Sequence, residues 1–350
     1  MLDYIIVGFG LAGMSFAEQL RKQNKSFIII DKGYETSSIV AGGMYNPVIL
    51  KRFTLSWKAK EQLDYAIPFY KEVELLLGNR FLKPFSVRRL FNSIDDQNNW
   101  IVASDKPNLS EFMNPCFIDN KNEYIDAHHK YGEVLYAGRL LVANLLKDYQ
   151  QYLTGSDQYL LEDFNFNELS HFEDHISYKS LKAKSIIFAE GFGLKNNPYF
   201  NRLPLVGNKG ETLVIHSPNL KLNHIVKSGV FLIPLGDDNY FVGATYNRND
   251  KDWKTTEVGK EELLLKLSSI IKCNYQVVSQ DAGIRPTVGD RRPLLGRHPK
   301  YSNYYVLNGM GTRGVMVAPL MSKHLYEFIE NDSLLDEEIN INRFKKWNRS

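Results

Sequence analysis

Six residues near the N-terminus constrain this chain more than any other feature. Tyr4-Ile5-Ile6-Val7 is a short apolar run that ends in Gly8-Phe9-Gly10-Leu11-Ala12-Gly13, a G-x-G-x-x-G pattern, and Ala12, Phe16 and Leu20 then recur at helical spacing. A second apolar run, Phe27 to Ile30, closes with Asp31, 18 residues beyond Gly13. Strand, tight turn, helix and strand within residues 4 to 31 make a βαβ unit, so a parallel sheet begins at the N-terminus. In such a unit the first glycine permits the turn, the second admits a pyrophosphate and the third lets helix and strand approach closely. The helix N-terminus offers free N–H groups and a partial positive charge to the phosphates. Asp31 is placed to accept from the ribose hydroxyls of a bound dinucleotide.

The remaining chain adds two patterns. Residues 56 to 77 read as a helix that Pro68 should kink or split, Gly138 to Tyr152 as another helix, and Ser185 to Ala189 as a buried strand entering Gly191 and Gly193. Thr212–His216, Val230–Pro234 and Tyr240–Ala244 read as strands, and Glu261 to Ile271 as a helix. Tyr304 to Leu307, then Gly309 and Gly311, then Gly314 to Ile329, repeat the order strand, loop, helix. The expected architecture is α/β: a Rossmann-like nucleotide-binding domain with a parallel sheet (1–80, 137–203 and 281–350), and an inserted, strand-rich α+β substrate domain (81–136 and 204–280). A chain of 350 residues, 43% of them hydrophobic, is long enough for two packed domains.

Several function classes lack their parts. There is no G-x-S-x-G elbow and no P-loop lysine, so acyl transfer and nucleotide hydrolysis are excluded. His171 and His175, four apart, have no evident third ligand, His128-His129 reads as exposed loop, and no metal site is expected. Two cysteines, Cys116 and Cys273, are too few to staple the fold and suggest a reducing compartment. No leader peptide and no apolar stretch of roughly 20 residues is present, so a cytoplasmic protein without membrane contact is expected. A formal charge of +3, from 43 basic and 40 acidic residues, does not by itself call for nucleic acid.

FAD and NAD share the glycine fingerprint, and the rest of the chain separates them. Ser37-Ser38, Ala41-Gly42-Gly43, Ser185 to Gly191, Gly283-Ile284-Arg285-Pro286 and Gly309-Met310-Gly311-Thr312-Arg313-Gly314 together resemble the FAD-dependent D-amino-acid oxidase and glycine oxidase family. The resemblance implies FAD as cofactor, held by Gly8, Gly10, Leu11, Ala12, Gly13, Asp31, Lys32, Ser38, Ala41, Gly42, Gly43, Ala189, Gly191, Gly309, Gly311, Thr312, Arg313, Gly314 and Val315. It gives Arg285 the substrate carboxylate, a role that suits the planar bidentate fork of a guanidinium. Arg313 is either a second anion contact or a salt-bridge partner. Two departures stand out: Glu190 occupies a position where a small residue is expected, and Phe231 stands where some relatives carry tyrosine. Tyr45 and Tyr246 are candidates for the missing hydroxyl, although each also reads as a packed aromatic.

The implied activity is oxidation of the C–N bond of an amino acid or N-substituted glycine by hydride transfer to flavin, with oxygen or an electron carrier as acceptor. Gly42 to Pro47 and the G-x-G-T-R-G ending also resemble the FAD domain of the bifunctional enzyme that matures 5-methylaminomethyl-2-thiouridine in tRNA, whose substrate is chemically an N-substituted glycine. The alternative is therefore a tRNA wobble-uridine oxidase, with Lys51-Arg52, Arg88-Arg89 and Arg291-Arg292 facing phosphates, although such pairs usually form solvated surface. A flavin-binding subunit without turnover is the third reading.

Overall fold

The structure is a computed structural model that describes residues 1–345 and Trp347. At its centre, strand Leu2–Val7 pairs in parallel with Phe27–Asp31 on one side and Leu181–Phe188 on the other. Tyr159–Leu161 extends the sheet beyond Phe27–Asp31, Tyr304–Asn308 extends it beyond Leu181–Phe188, and both are again parallel. Leu294–Arg297 closes that edge antiparallel. The expected βαβ start and Rossmann-like parallel sheet are thus observed. The central strands are apolar without alternation because both faces are covered. Tyr4 and Ile6 pack with helices Leu11–Lys22, Val142–Thr154 and Gly314–Glu330, while Ile5 and Val7 pack with Phe188, Phe200 and Leu203 on the opposite face.

The second sheet has seven strands in the order Gln276–Val288, Leu205–His216, Asn239–Gly243, Phe231–Gly236, Ile225–Lys227, Val87–Leu90 and Tyr131–Val134. Helix Glu257–Ser268 covers one face with Leu263 and Leu267, which meet Leu213, Leu232 and Val242 in a separate core. Thr256 starts this helix by accepting from the Gly259 N–H at 3.0 Å. The opposite face of the sheet turns toward the glycine-rich turns of the first.

Several boundaries differ from expectation for identifiable reasons. Gly138–Leu140 is a strand, not helix: it pairs with Met44–Tyr45 and Leu82–Pro84, and the helix starts at Val142. Helix Ala59–Leu77 runs unbroken through Pro68. The division at 281 falls inside Gln276–Val288, whose pairing along nearly all of Leu205–His216 holds the whole strand in the second sheet.

Candidate functional site

Between the two sheets lies a cavity of about 560 Å3, lined from Lys32 and Glu162 at one end to Arg285 and Lys227 at the other. Its floor is the glycine turn. Gly8 has φ +100, and a Cβ there would lie 2.7 Å from the Ala189 carbonyl oxygen. A Cβ on Gly13 would lie 2.0 Å from the Gly8 carbonyl oxygen, so only glycine lets the helix begin this close to the strand. Gly13 accordingly packs beneath the cavity, whereas Gly8, Gly10, Leu11 and Ala12 line it. Helix Leu11–Lys22 has no side-chain cap at Gly10, and its first N–H, that of Leu11, donates to Ser38 Oγ at 3.2 Å.

Asp31 ties the end of the second strand to this turn. Its carboxylate accepts from the Phe9 N–H at 2.7 Å, the Gly33 N–H at 2.8 Å and the Tyr159 hydroxyl at 3.2 Å, while still facing the cavity. Those three bonds use most of the roughly four acceptor positions of a carboxylate. Lys32, Ser38, Ala41, Gly42, Gly43, Ala189 and Gly191 line the walls, as do Gly311, Thr312, Gly314 and Val315. Gly43 and Gly311 have φ of +70 and +59, backbone that favours glycine. Helix Gly314–Glu330 opens at the cavity with no side-chain cap and no acidic residue in its first turn. Two uncapped helix starts and these close-approach glycines fit a large, phosphate-bearing dinucleotide such as FAD.

Glu190 also borders the cavity. Burial pushes its carboxyl up to about 7, opposed by the Asn197 side chain, which donates to it at 2.7 Å. Besides Gly13, three expected positions fall outside the lining. Tyr45 is buried in the core with its hydroxyl against Gly138, because it alternates with Met44 and Met44 takes the cavity side. Arg313 turns away between Thr312 and Gly314 and donates to the Asn46 carbonyl, and burial pushes its guanidinium down to about 10. Gly309, with φ +75, packs against Val288 and Leu294.

At the other end, Arg285 projects from the second sheet into the cavity. Its Nη1 donates only to Asn208 Oδ1 at 3.2 Å and the Thr245 carbonyl at 3.4 Å, both long, and its guanidinium lies 5.3 Å from the Tyr246 ring centroid. Among the described residues no carboxylate pairs with it, and burial holds it below the ordinary arginine range. Gly210 makes the room, since a Cβ there would sit 2.1 Å from Arg285 Nη2. Tyr246 is exposed and lines the cavity. Phe231, Ile233 and Phe241 supply an apolar wall.

Sequence reasoning did not single out Lys227, Gly210 or Phe241. Strand pairing brings them to the cavity, and no local pattern marks them. Among the described residues no helix is long and apolar enough to cross a membrane.

Residues 167–328 match the family model described as FAD dependent oxidoreductase. The chain is 22% identical to glycine oxidase of Bacillus licheniformis over 362 residues, covering 96% of this chain and 95% of that protein. It is 26% identical over 151 residues to the tRNA 5-methylaminomethyl-2-thiouridine biosynthesis bifunctional protein of Idiomarina loihiensis, a stretch covering 41% of this chain and only 25% of that relative. Among solved structures, glycine oxidase from Geobacillus kaustophilus superposes with a TM-score of 0.79 at 17% identity, covering 96% of each chain.

Proposed function

We propose that this chain, an FAD-dependent oxidoreductase with the glycine oxidase fold, oxidises the C–N bond of an amino acid or N-substituted glycine whose carboxylate is held by Arg285. The observation that carries this reading is the guanidinium facing the cavity, which has no carboxylate partner among the described residues and is held by long bonds to neutral acceptors and a contact with the Tyr246 ring. A buried cation without a counter-charge is unfavourable, and a bound carboxylate would supply that charge in a bidentate geometry. When bound, FAD supplies a two-electron acceptor that takes hydride from the substrate carbon next to nitrogen, leaving an imine that water hydrolyses.

The chain's own contribution is positioning. Arg285 fixes the acid end, Gly210 keeps the guanidinium's place open, and Tyr246 stacks on it. Phe231, Ile233 and Phe241 shield the reacting carbon from water. The uncapped start of helix Gly314–Glu330 turns its positive end to the cavity, where added negative charge is stabilised. The second reading, a carboxymethylaminomethyl uridine in tRNA, is favoured by the partial match to the bifunctional tRNA-modifying protein, and the same Arg285 would hold that carboxylate.

The test is anaerobic bleaching of the visible flavin band by glycine, sarcosine, proline isomers and D- and L-amino acids, with Arg285→Met alongside. Bleaching that the variant abolishes supports a small amino-acid substrate. A yellow protein bleached by none of them shifts the reading to the modified nucleoside, and a colourless one that takes up no FAD refutes both.

A further inference from the structure

Lys227 shares the cavity with Arg285 and has a different set of neighbours. It lies on the same face of the sheet as Phe231, Gly243 and Thr212, its successive register partners, all of which line the cavity. Its ammonium donates to the Ser228 carbonyl at 2.6 Å and lies 4.8 Å from the Phe231 ring centroid. Among the described residues no carboxylate pairs with it. Burial, and after it the charges of Arg89, Lys266 and Lys51, push it down to about 8.

Arg89 is the register partner of Lys227 on the adjacent strand, so two cations stand side by side on one face. Like charges placed this way destabilise a sheet. Arg89 reaches Asp96 only at 3.4 Å, and its buried Nε has no partner. Lys266 pairs with Glu262 and Arg89 has its long contact with Asp96, whereas Lys227 itself has no carboxylate partner among the described residues. A lysine that merely snorkels would carry its ammonium outward to water; Lys227 instead holds its ammonium over a cavity-lining aromatic ring.

We propose that Lys227, backed by Arg89, forms a second anion subsite in this cavity, which takes a phosphate group carried on the nitrogen substituent of the substrate. The proposal rests on Arg285 as the carboxylate anchor. The Arg285 guanidinium lies at Gly210, and the strand of Lys227 is three places from that strand in the sheet. At ~4.8 Å per strand this is about 14 Å between strands. A glycine unit attached to a phosphorylated sugar spans a separation of that order. A lysine ammonium with an arginine behind it on the neighbouring strand suits the several oxygens and the multiple charge of a phosphate better than a lone carboxylate.

Isothermal titration of the FAD-loaded protein, whose glycine turn is then filled, tests the subsite with inorganic phosphate, ribose 5-phosphate and a short oligouridylate. Lys227→Met should weaken phosphate by about tenfold to a hundredfold, Lys227→Arg should restore it, and Arg285→Met should leave it within about threefold. An unchanged melting temperature and flavin spectrum establish that the variants are folded. An oligouridylate at least about tenfold tighter than ribose 5-phosphate assigns the phosphate to a polynucleotide, and equal affinity to a free ester. Absence of phosphate binding to the wild type, indifference to Lys227→Met, or equal loss in Arg285→Met overturns the subsite. If phosphate binding depends on Lys227 but no glycine-type amine bleaches the flavin and Arg285→Met leaves carboxylate binding unchanged, the subsite stands and the Arg285 reading fails.

Discussion

Replacing Arg285 with methionine should separate activity from stability. A bidentate guanidinium–carboxylate contact comprises two charge-assisted hydrogen bonds, each contributing about 1.5–3 kcal/mol. Their combined loss of about 3–6 kcal/mol corresponds to roughly a 10²- to 10⁴-fold fall in kcat/KM. The folded chain, by contrast, loses only two long bonds to neutral oxygens, at 3.2 and 3.4 Å, and a stacking contact with Tyr246. It also sheds a desolvated cation, so stability should change by no more than about 1 kcal/mol and should not fall by more than that. The assay pairs thermal unfolding of the FAD-loaded variant with steady-state kinetics on whichever amine bleaches the wild type. A variant that keeps its flavin and retains kcat/KM within about threefold would refute the anchor role, because ΔΔG‡ would then be below about 1 kcal/mol. A variant that fails to fold would refute the claim that the guanidinium contributes little to the fold.

Gly210→Ala places a methyl 2.1 Å from Arg285 Nη2, the far end of a flexible side chain; KM should rise about tenfold with little change in melting temperature, read by kinetics and calorimetry. Gly13→Ala meets backbone instead, 2.0 Å from the Gly8 carbonyl oxygen, and should destabilise by about 2–3 kcal/mol and release FAD on gel filtration. Glu190 is raised from its ordinary 4.5 to about 7. The folded chain therefore holds a proton that the unfolded chain releases, and stability should fall by up to about 3 kcal/mol as pH rises from about 4.5 to 7. Urea unfolding across that window should show the slope, and Glu190→Gln should flatten it. Tyr246→Phe removes a hydroxyl on an exposed ring and should leave kcat/KM within about twofold, as expected where no buried partner is lost.

What could be read from the sequence follows from whether backbone or pairing makes the demand. Gly8 and Gly13 were legible because a left-handed turn and a helix packed within contact of a carbonyl oxygen each require glycine whatever the rest of the chain does. The strands Leu2–Val7 and Phe27–Asp31 were legible because a sheet covered on both faces needs an unbroken apolar run. Arg285 was legible only through its motif, since nothing local says that a cation on a strand lacks a counter-charge. Tyr45 and Arg313 show how a segment can be placed correctly and its side chains wrongly. Their neighbours Met44, Thr312 and Gly314 line the cavity, and a shift of one residue turns each side chain away from it. Gly138 is the same lesson seen from the other side: the apolar spacing after it reads as helix, but Gly138 is where the Tyr45 ring needs a position without a side chain, with a Cβ only 2.3 Å from its hydroxyl oxygen. Lys227 and Arg89 lie 138 positions apart and meet only because Ile225–Lys227 pairs in parallel with Val87–Leu90. That pairing closes a long loop around the second sheet, and no window of sequence contains both partners. The parts of the site held by one turn of chain could therefore be inferred from residue type, whereas Lys227 and its neighbour Arg89 are brought together by strand order, which only the folded sheet supplies.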